Sequence, residues 1–499
     1  MGVSVTDLLA EDSKLFIGGE WVSPAGRDRV SVVNPAYGET IGSLPDPGRD
    51  DADRAVAAAR AAFDRGPWPR MDPAERWTLV RRFCDELERR ASDLETAWTL
   101  EVGATEPCTR AMNRVVPKAA WDDALRVAGE RGFTEMRDGG PWGPIEVHHT
   151  PIGVVVAILT YNGPVNHMGL KVVPALLAGC PVIIKPSPET QLVGSILASA
   201  ARAAELPAGV ISVLAGGVEV SSYLVRHPGV DMVSFTGGTK IGRDIASVCG
   251  GRLAKCTLEL GGKSAAIVGP DMAAEEGVPL LLPGMLTLQG QICNALSRIL
   301  VPRARYDEYL DALSAAFEGQ VVGDPLEPST TWGPLAVERA RDRVETEVAA
   351  AVAAGASVIT GGRRPAGHGR GFFFEPTLVT DVTADMRVVR EELFGPVYCV
   401  MAYDDIPSAI ELANDTTYGL FGAVFTNDVS LGRQVARQVR AGSFAINGGG
   451  PCLTQPFGGV KDSGFGREGG LEGLYEFTEM KTVVLEKYLA FSDDLLTEV

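Results

Sequence analysis

From residue 152 onward the chain alternates short apolar runs with longer amphipathic stretches. Val154-Val-Val-Ala-Ile-Leu159, Val182-Ile-Ile-Lys185, Val210-Ile-Ser-Val-Leu214 and Met232-Val-Ser-Phe235 read as buried strands. Between them the spacing predicts helices through Leu177, over Leu192–Ala204 and over Ile241–Val248. Strands alternating with helices of this length predict an α/β fold built on a parallel, doubly wound sheet. Such sheets bind ligands at the carboxyl ends of their strands. A second α/β series begins at Ser264-Ala-Ala-Ile-Val268. It continues through a helix near 272–290, a strand over Ser297–Val301, and helices over 305–317, 336–353, 405–414 and 429–439.

Upstream, residues 50–131 are helical by their i, i+3, i+4 apolar spacing and few breakers, with clear helices over Asp51–Phe63 and Trp77–Leu100. Residues 13–45 read as short strands and turns. The stretch 132–150 fits neither pattern. Its turn cluster Gly139-Gly-Pro-Trp-Gly-Pro144, flanked by Phe133–Arg137 and Ile145–His149, predicts a hairpin arm. The tail Lys481-Thr-Val-Val-Leu-Glu-Lys487 reads as a strand placed to meet that arm.

The 499 residues suffice for two or three domains, and 45% hydrophobic with 22% charged residues is an ordinary soluble globular mix. Net charge is −18 with no basic cluster, which argues against nucleic acid as a partner. The eight cysteines are scattered and form no CxxC pair, so neither a zinc site nor a disulfide framework is signalled. Reduced thiols in a cytoplasmic enzyme fit best. Met1-Gly-Val-Ser-Val-Thr-Asp7 lacks the basic and apolar regions of a signal peptide, and its match to a myristoylation pattern is read as chance. No apolar run approaches the ~20 residues needed to span a bilayer, so no membrane association is expected. None of the histidines has metal-ligand spacing, so no metal is expected.

Two stretches carry candidate chemistry. In Gln289-Gly-Gln-Ile-Cys-Asn-Ala-Leu-Ser-Arg298, Cys293 sits among small and polar residues, at what reads as the end of a helix. In Leu258-Glu-Leu-Gly-Gly-Lys-Ser264, Glu259 lies between two leucines at the end of a strand. A buried carboxylate costs several kcal/mol unless something pairs or uses it. A thiol nucleophile with a partly buried carboxylate base is a covalent-catalysis pair. Taken singly, each stretch is equally compatible with an inert core cysteine and a glutamate capping a turn. Phe235-Thr-Gly-Gly-Thr-Lys-Ile-Gly242 joins a strand to a helix, where free N–H groups suit a pyrophosphate. The strict GxGxxG at Gly464–Gly469 does not sit in a strand–helix unit and is rejected as a dinucleotide fingerprint.

Together these segments resemble the signature segments of the NAD(P)-dependent aldehyde dehydrogenase superfamily, in order, from about residue 14 to 485. The resemblance implies a Rossmann-type cofactor domain, an α/β catalytic domain and a β oligomerisation arm. The expected boundaries are 1–131 with 151–259 for the cofactor domain and 260–450 for the catalytic domain. The arm takes 132–150 with 478–499, and 451–477 is a buttress returning to the cofactor domain. Tyr161-Asn-Gly-Pro164 resembles the oxyanion segment, which makes Asn162 a donor to the developing alkoxide. Cys293 is then the nucleophile and Glu259 the base. The cofactor residues implied are Thr160, Lys185, Ser187, Glu189, Gly237, Gly238, Thr239, Gly242, Leu260, Glu392 and Phe394. Many family members carry a glutamate three residues after the lysine. Here Pro188 stands there and Glu189 one later, so NAD is expected with NADP tolerated.

The reaction implied is oxidation of an aldehyde to its acid through a thiohemiacetal and a thioester on Cys293. Rival classes are a CoA-acylating dehydrogenase, which tends to lack the glutamate; a cysteine esterase or thioesterase without redox chemistry; and a non-enzymatic structural relative. The aldehyde pocket is expected at Gly163, His167, Leu170, Ile292, Asn294, Cys452 and Phe457, wide because Gly163 replaces a common aromatic. His167 is expected as its chief polar group. This predicts a bulky, hydrophobic aldehyde. A homodimer or homotetramer is implied.

Overall fold

The computed structural model describes residues 14–485; the N-terminal residues 1–13, and residues 486–499 of the predicted tail and arm, lie outside the described part. Two large sheets carry the fold. The first has eight strands in the order Gly464–Phe465, Lys255–Glu259, Met232–Thr236, Val155–Ile158, Val182–Lys185, Ile211–Val213, Leu15–Ile17 and Glu20–Val22. Its five central strands are parallel and its outer strands antiparallel. The chain runs outward one way from Val155–Ile158 and returns on its other side at Met232–Thr236. The topological switch therefore lies between these two strands, and a crevice opens beyond their carboxyl ends.

The second sheet has seven strands: Ser357–Thr360, Thr377–Thr380, Val397–Tyr403, Leu296–Pro302, Ser264–Val268, Phe421–Phe425 and Ser443–Ile446. All pair in parallel except the first. Its centre is fully buried, with Ala266, Ile267, Leu300, Ala423 and Val424 all shielded from solvent. Buried Arg298 donates to the carbonyls of Lys263, Leu412 and Ala413 at 2.8–2.9 Å, tying this sheet to the segment that follows Glu259.

A third sheet of three strands joins Thr134–Asp138, Pro144–Pro151 and Thr478–Val484. The hairpin and the C-terminal strand pair from Thr478 opposite Pro151 to Val484 opposite Ile145. Their meeting was expected from the sequence.

Three local readings change. The helix expected over Trp77–Leu100 is two, Pro73–Arg89 and Ala91–Val102, broken at Arg90, and a π-turn at Ala111–Val115 precedes the helix Val116–Arg131. A second π-turn spans Met168–Val172. The helix expected over 272–290 runs only over Ala274–Leu286. A 3-10 turn follows at Thr287–Gly290, where Leu288, Gln289 and Gly290 all take positive φ. Cys293 therefore stands in a turn beyond that kink, not at a helix end. The Thr287 hydroxyl donates to the Pro283 carbonyl at 2.6 Å, taking up one of the last-turn carbonyls that the end of the helix leaves free.

Fully buried Trp98 packs in the core under the first sheet and donates its indole N–H to the Tyr161 carbonyl at 2.7 Å. It thereby supports the loop that presents Asn162. Trp98→Ala is expected to cost about 3–5 kcal/mol of stability, as large core truncations do. Urea unfolding should show a large drop in midpoint, and Trp98→Phe a smaller one. A loss below about 1 kcal/mol for the alanine variant would contradict this packing role.

Candidate active site

Three chain segments converge on one cavity of about 530 Å³. The loop after the strand Val155–Ile158 brings Asn162, the last residue of the strand Lys255–Glu259 brings Glu259, and the turn before Leu296–Pro302 brings Cys293. The first two come from the carboxyl edge of the eight-stranded sheet and the third from the seven-stranded sheet.

Glu259 is buried, and neither carboxylate oxygen has a hydrogen-bond partner among the described residues. Burial pushes its carboxyl well above the usual range; the nearby Glu468 carboxylate adds to this, while Lys171 and Arg467 oppose it. Its backbone is fixed more firmly: the Glu259 carbonyl accepts from Gly237 N–H at 3.0 Å. A Cβ on Gly458 would stand 2.7 Å from Glu259 Oε1, so the glycine lets the Pro456–Val460 segment close over the carboxylate. Lys171 and Glu468, both buried, form an ion pair beside it, and Lys171 also reaches Ser234 Oγ at 3.2 Å. Glu468 lines the cavity as well.

Cys293 is partly open to the cavity. Its thiol is pushed up to about 12 by burial first, then by the Glu392 and Glu259 carboxylates; the N–H groups of Asn294 and Cys293 itself pull the other way. Gln291 anchors the turn. Its side chain donates to the Leu288 carbonyl at 3.1 Å and accepts from Ala336 N–H at 3.0 Å. The Thr160 hydroxyl donates to Asn162 Oδ1, which leaves the Asn162 amide N–H₂ as the group free to donate elsewhere.

All seven expected pocket residues, Gly163, His167, Leu170, Ile292, Asn294, Cys452 and Phe457, line the cavity. Sequence reasoning missed Met112 and Val115 on the first π-turn, Val116 and Ala119 on the helix after it, and Thr287. A Cβ on Gly163 would lie 3.8 Å from Met112 Cε and 3.4 Å from Asn166 Nδ2, so part of the volume freed by the glycine is refilled from these elements. His167 is not the chief polar group. It is buried, burial and then Lys171 hold it well below its ordinary value, and Asn162, Asn166, Thr236, Asn294 and Thr454 share the lining. Among the described residues no arginine or lysine lines the cavity, and Phe457 is the one phenylalanine, tyrosine or tryptophan in its wall.

The cofactor positions lie around the same crevice. The helix Thr239–Gly251 starts at Gly238 without a side-chain cap, leaving its first N–H groups free, and the space where a Gly238 Cβ would stand is open. An anionic pyrophosphate fits such an end. Gly242 packs against Leu260: a Cβ there would come within 2.5 Å of the leucine side chain. Lys185 is buried, and its Nζ donates to the carbonyls of Pro186 at 2.6 Å and Gly216 at 2.7 Å; burial lowers it to about 7. The Ser187 hydroxyl donates to Glu189, which also pairs with Arg339. Glu392 accepts from Gly262 N–H at 3.1 Å, and burial raises it to about 7. Phe394, at φ 54°, meets the Tyr161 ring edge-on at 5.8 Å.

A family model described as the aldehyde dehydrogenase family matches residues 21–483. The chain belongs to the aldehyde dehydrogenase family. A geranial dehydrogenase of Castellaniella defragrans is 39% identical over 471 residues, covering 94% of this chain and 98% of that protein. A 3-succinoylsemialdehyde-pyridine dehydrogenase of a Pseudomonas species is 37% identical, covering 94% and 98%. Among solved structures, a Mycobacterium tuberculosis aldehyde dehydrogenase complexed with NAD+ superposes with TM-score 0.92 at 40% identity, covering 95% of this chain and 98% of that one. As an aldehyde dehydrogenase the protein is an oxidoreductase that converts aldehydes to acids. Among the described residues no helix is long and apolar enough to cross a membrane, and no cluster of ligands could hold a metal ion.

The electrostatics predict a protonated thiol at rest. Below a raised thiol value the thiolate fraction grows about tenfold per pH unit. Alkylation of Cys293 by iodoacetamide, read by mass spectrometry of its peptide, should therefore keep rising through pH 10 in the cofactor-free protein. Glu392→Gln should raise the rate at every pH in that range. A plateau near pH 8 in the unaltered protein would contradict this account.

Proposed function

We propose that the protein oxidises a bulky, uncharged hydrophobic aldehyde with NAD, Cys293 acting as nucleophile, Asn162 as oxyanion donor and Glu259 as base. The observation that carries this reading is the joint opening of these three side chains into one largely apolar cavity with no cationic residue in its wall. The thiolate of Cys293 attacks the carbonyl carbon. The oxygen, now an alkoxide, takes hydrogen bonds from the Asn162 amide and the Cys293 N–H; one such donor is typically worth ~10²–10³ in rate. A bound nicotinamide supplies the acceptor that turns this thiohemiacetal into a thioester. Its two riboses are assigned to Glu392 on one side and to Lys185 and Glu189 on the other, with the pyrophosphate at Gly238 and Thr239. Glu259 then removes a proton from water, whose oxygen attacks the thioester and frees the acid and the thiol. NAD is supported by the solved relatives bound to it.

Several observations favour a neutral, apolar substrate. Among the described residues the ionisable carboxyls of the wall are Glu259 and Glu468, and no lysine or arginine lines it to hold the carboxylate of a semialdehyde acid. A quaternary ammonium aldehyde is usually held by an aromatic cage, and Phe457 alone makes none. The geranial dehydrogenase relative and the structure of an aldehyde dehydrogenase from Pseudomonas syringae with NAD+ and octanal, 36% identical with TM-score 0.91 over 97% of this chain and 98% of that one, point the same way. Glu259, with a free carboxylate facing the cavity, favours water over CoA as acyl acceptor. The arm exposes Met136, Met480 and Val484, which supports pairing with a second copy in a homodimer or homotetramer.

Glu259→Gln should slow deacylation most. Acyl-enzyme should accumulate on Cys293 after mixing with NAD and aldehyde, seen by intact-mass spectrometry, while Cys293→Ala gives neither adduct nor NADH. Turnover unchanged in Glu259→Gln would remove it from the base role.

Comparison of kcat/KM for acetaldehyde, succinic semialdehyde, hexanal and a benzaldehyde derivative should favour the last two. Gly163→Phe is accommodated at its Cβ but places a ring in the cavity. It should cost the bulky substrates about tenfold or more, the scale of discrimination by pocket volume. A win for acetaldehyde or the semialdehyde, or indifference to Gly163→Phe, would sink the substrate assignment.

A further inference from the structure

We propose that Arg339 recognises a 2′-phosphate on the adenosine ribose, so that the Glu189–Arg339 pair sets the choice between NADP and NAD. The proposal rests on the dinucleotide-dependent reading above and names the residue that governs its cofactor preference.

The adenosine end of a dinucleotide at this sheet lies beyond the carboxyl end of Val182–Lys185. Lys185, the cation nearest that end by sequence, is poorly placed to meet a phosphate. It is buried, and two of its three donors are spent on the carbonyls of Pro186 and Gly216. Glu189 follows in the turn before the helix Gln191–Ala203, and no carboxylate stands at Pro188. One Glu189 oxygen accepts from the Ser187 hydroxyl and the other pairs with Arg339 Nη2. Arg339 comes from the helix Glu338–Ala353, which packs with the seven-stranded sheet, so the pair crosses from one α/β unit to the other. The Arg339 side chain is 73% exposed, and Nη2 is its one engaged nitrogen. The buried phenol of Tyr161 feels the charges of Glu189, Arg339 and Glu392 together.

A ribose with free hydroxyls donates hydrogen bonds, and Glu189 is the acceptor for them. A 2′-phosphate is a dianion with acceptors alone; beside an unmatched Glu189 it is repelled. A guanidinium both neutralises Glu189 and offers the planar fork that phosphate accepts in bidentate fashion. Arg339 can turn from Glu189 to the phosphate without leaving solvent. With NAD it stays on the carboxylate.

Calorimetric binding of adenosine 2′,5′-bisphosphate and of 5′-AMP isolates the phosphate from the rest of the cofactor. Arg339→Ala should weaken the bisphosphate about tenfold or more, the size of a charge-assisted hydrogen bond, and leave 5′-AMP within about twofold. Glu189→Gln should strengthen the bisphosphate and weaken 5′-AMP. The ratio of kcat/KM for NADP over NAD should move in the same directions. Equal losses for both nucleotides in Arg339→Ala would make the pair a clasp between units and overturn the proposal. So would unchanged binding of both, or no measurable bisphosphate binding by the unaltered protein. Absence of NADH or NADPH formation with any aldehyde would fail the dehydrogenase reading instead, and the nucleotide titrations would still decide the role of Arg339.

Discussion

The whole site depends on a carboxyl group buried without a side-chain partner. Neither oxygen of Glu259 has a side-chain partner among the described residues, and the Gly459 N–H is the backbone donor that acts on the carboxylate; burying a carboxylate with so little compensation is costly. The fold tolerates this because the residue is held by its backbone, as the last rung of a central strand, and not by its side chain. The neighbouring Lys171–Glu468 pair works against itself. Its lysine favours the Glu259 carboxylate and its glutamate disfavours it, so burial is left as the main cause that holds Glu259 above its ordinary value. Such a carboxyl must shed its proton before it can act, and once ionised it is a stronger base than an ordinary carboxylate.

The nucleophile reaches this carboxylate by a different physical route. Three consecutive positive φ values at Leu288, Gln289 and Gly290 reverse the chain between helix and strand. Two of these residues are not glycine, and each non-glycine residue held there costs of order 1 kcal/mol or more. Gln291 offsets this by fastening the turn through both ends of its amide. At Gly290 a Cβ would stand 2.7 Å from the Gly395 carbonyl, so only glycine permits the close approach to the segment carrying Glu392 and Phe394. The strain thus sets the thiol, the two glutamates and the cofactor segment within one small volume.

The sequence made legible what depends on periodicity or on side-chain identity. Alternation from Val154 to Val213 located the parallel strands, and Glu259 at a strand end was visible as a charge among leucines. The arm was visible as a break in pattern. The strands Phe421–Phe425 and Ser443–Ile446 were not read because short runs mixing aromatics, glycine and serine do not separate from loop by period alone; Thr377–Thr380 is too short to show a period, and Val397–Tyr403, a continuous apolar run, was missed although its composition suits a buried strand. The kink after Leu286 was hidden because Leu288 and Gln289 are ordinary helix formers and their left-handed backbone is imposed by tertiary packing. The contribution of Met112 and Val115 to the cavity was hidden for a related reason: a π-turn rotates the following side chains by one position, and nothing in Ala111-Met-Asn-Arg-Val115 announces it.

These features bear on when the thiol becomes reactive. Burial first, and then the Glu392 and Glu259 carboxylates, raise the Cys293 thiol against the N–H groups of Asn294 and Cys293 itself, so the resting site holds the sulfur as S–H. Activation must then come from positive charge delivered into the cavity or from loss of negative charge at Glu392. Glu392, raised to about 7, is close to that balance near neutral pH. A ribose hydroxyl donating to Glu392 would stabilise its carboxylate and raise the thiol further, whereas a cationic ring beside Sγ would lower it. The second effect must exceed the first for the thiolate to form. At 4 Å a unit charge acts with about 4 kcal/mol at an effective dielectric of 20, several times a single hydrogen bond, so the cation prevails. Protection of the thiol at rest thus follows from burial together with the two glutamates, and its release from positive charge brought into the cavity against them.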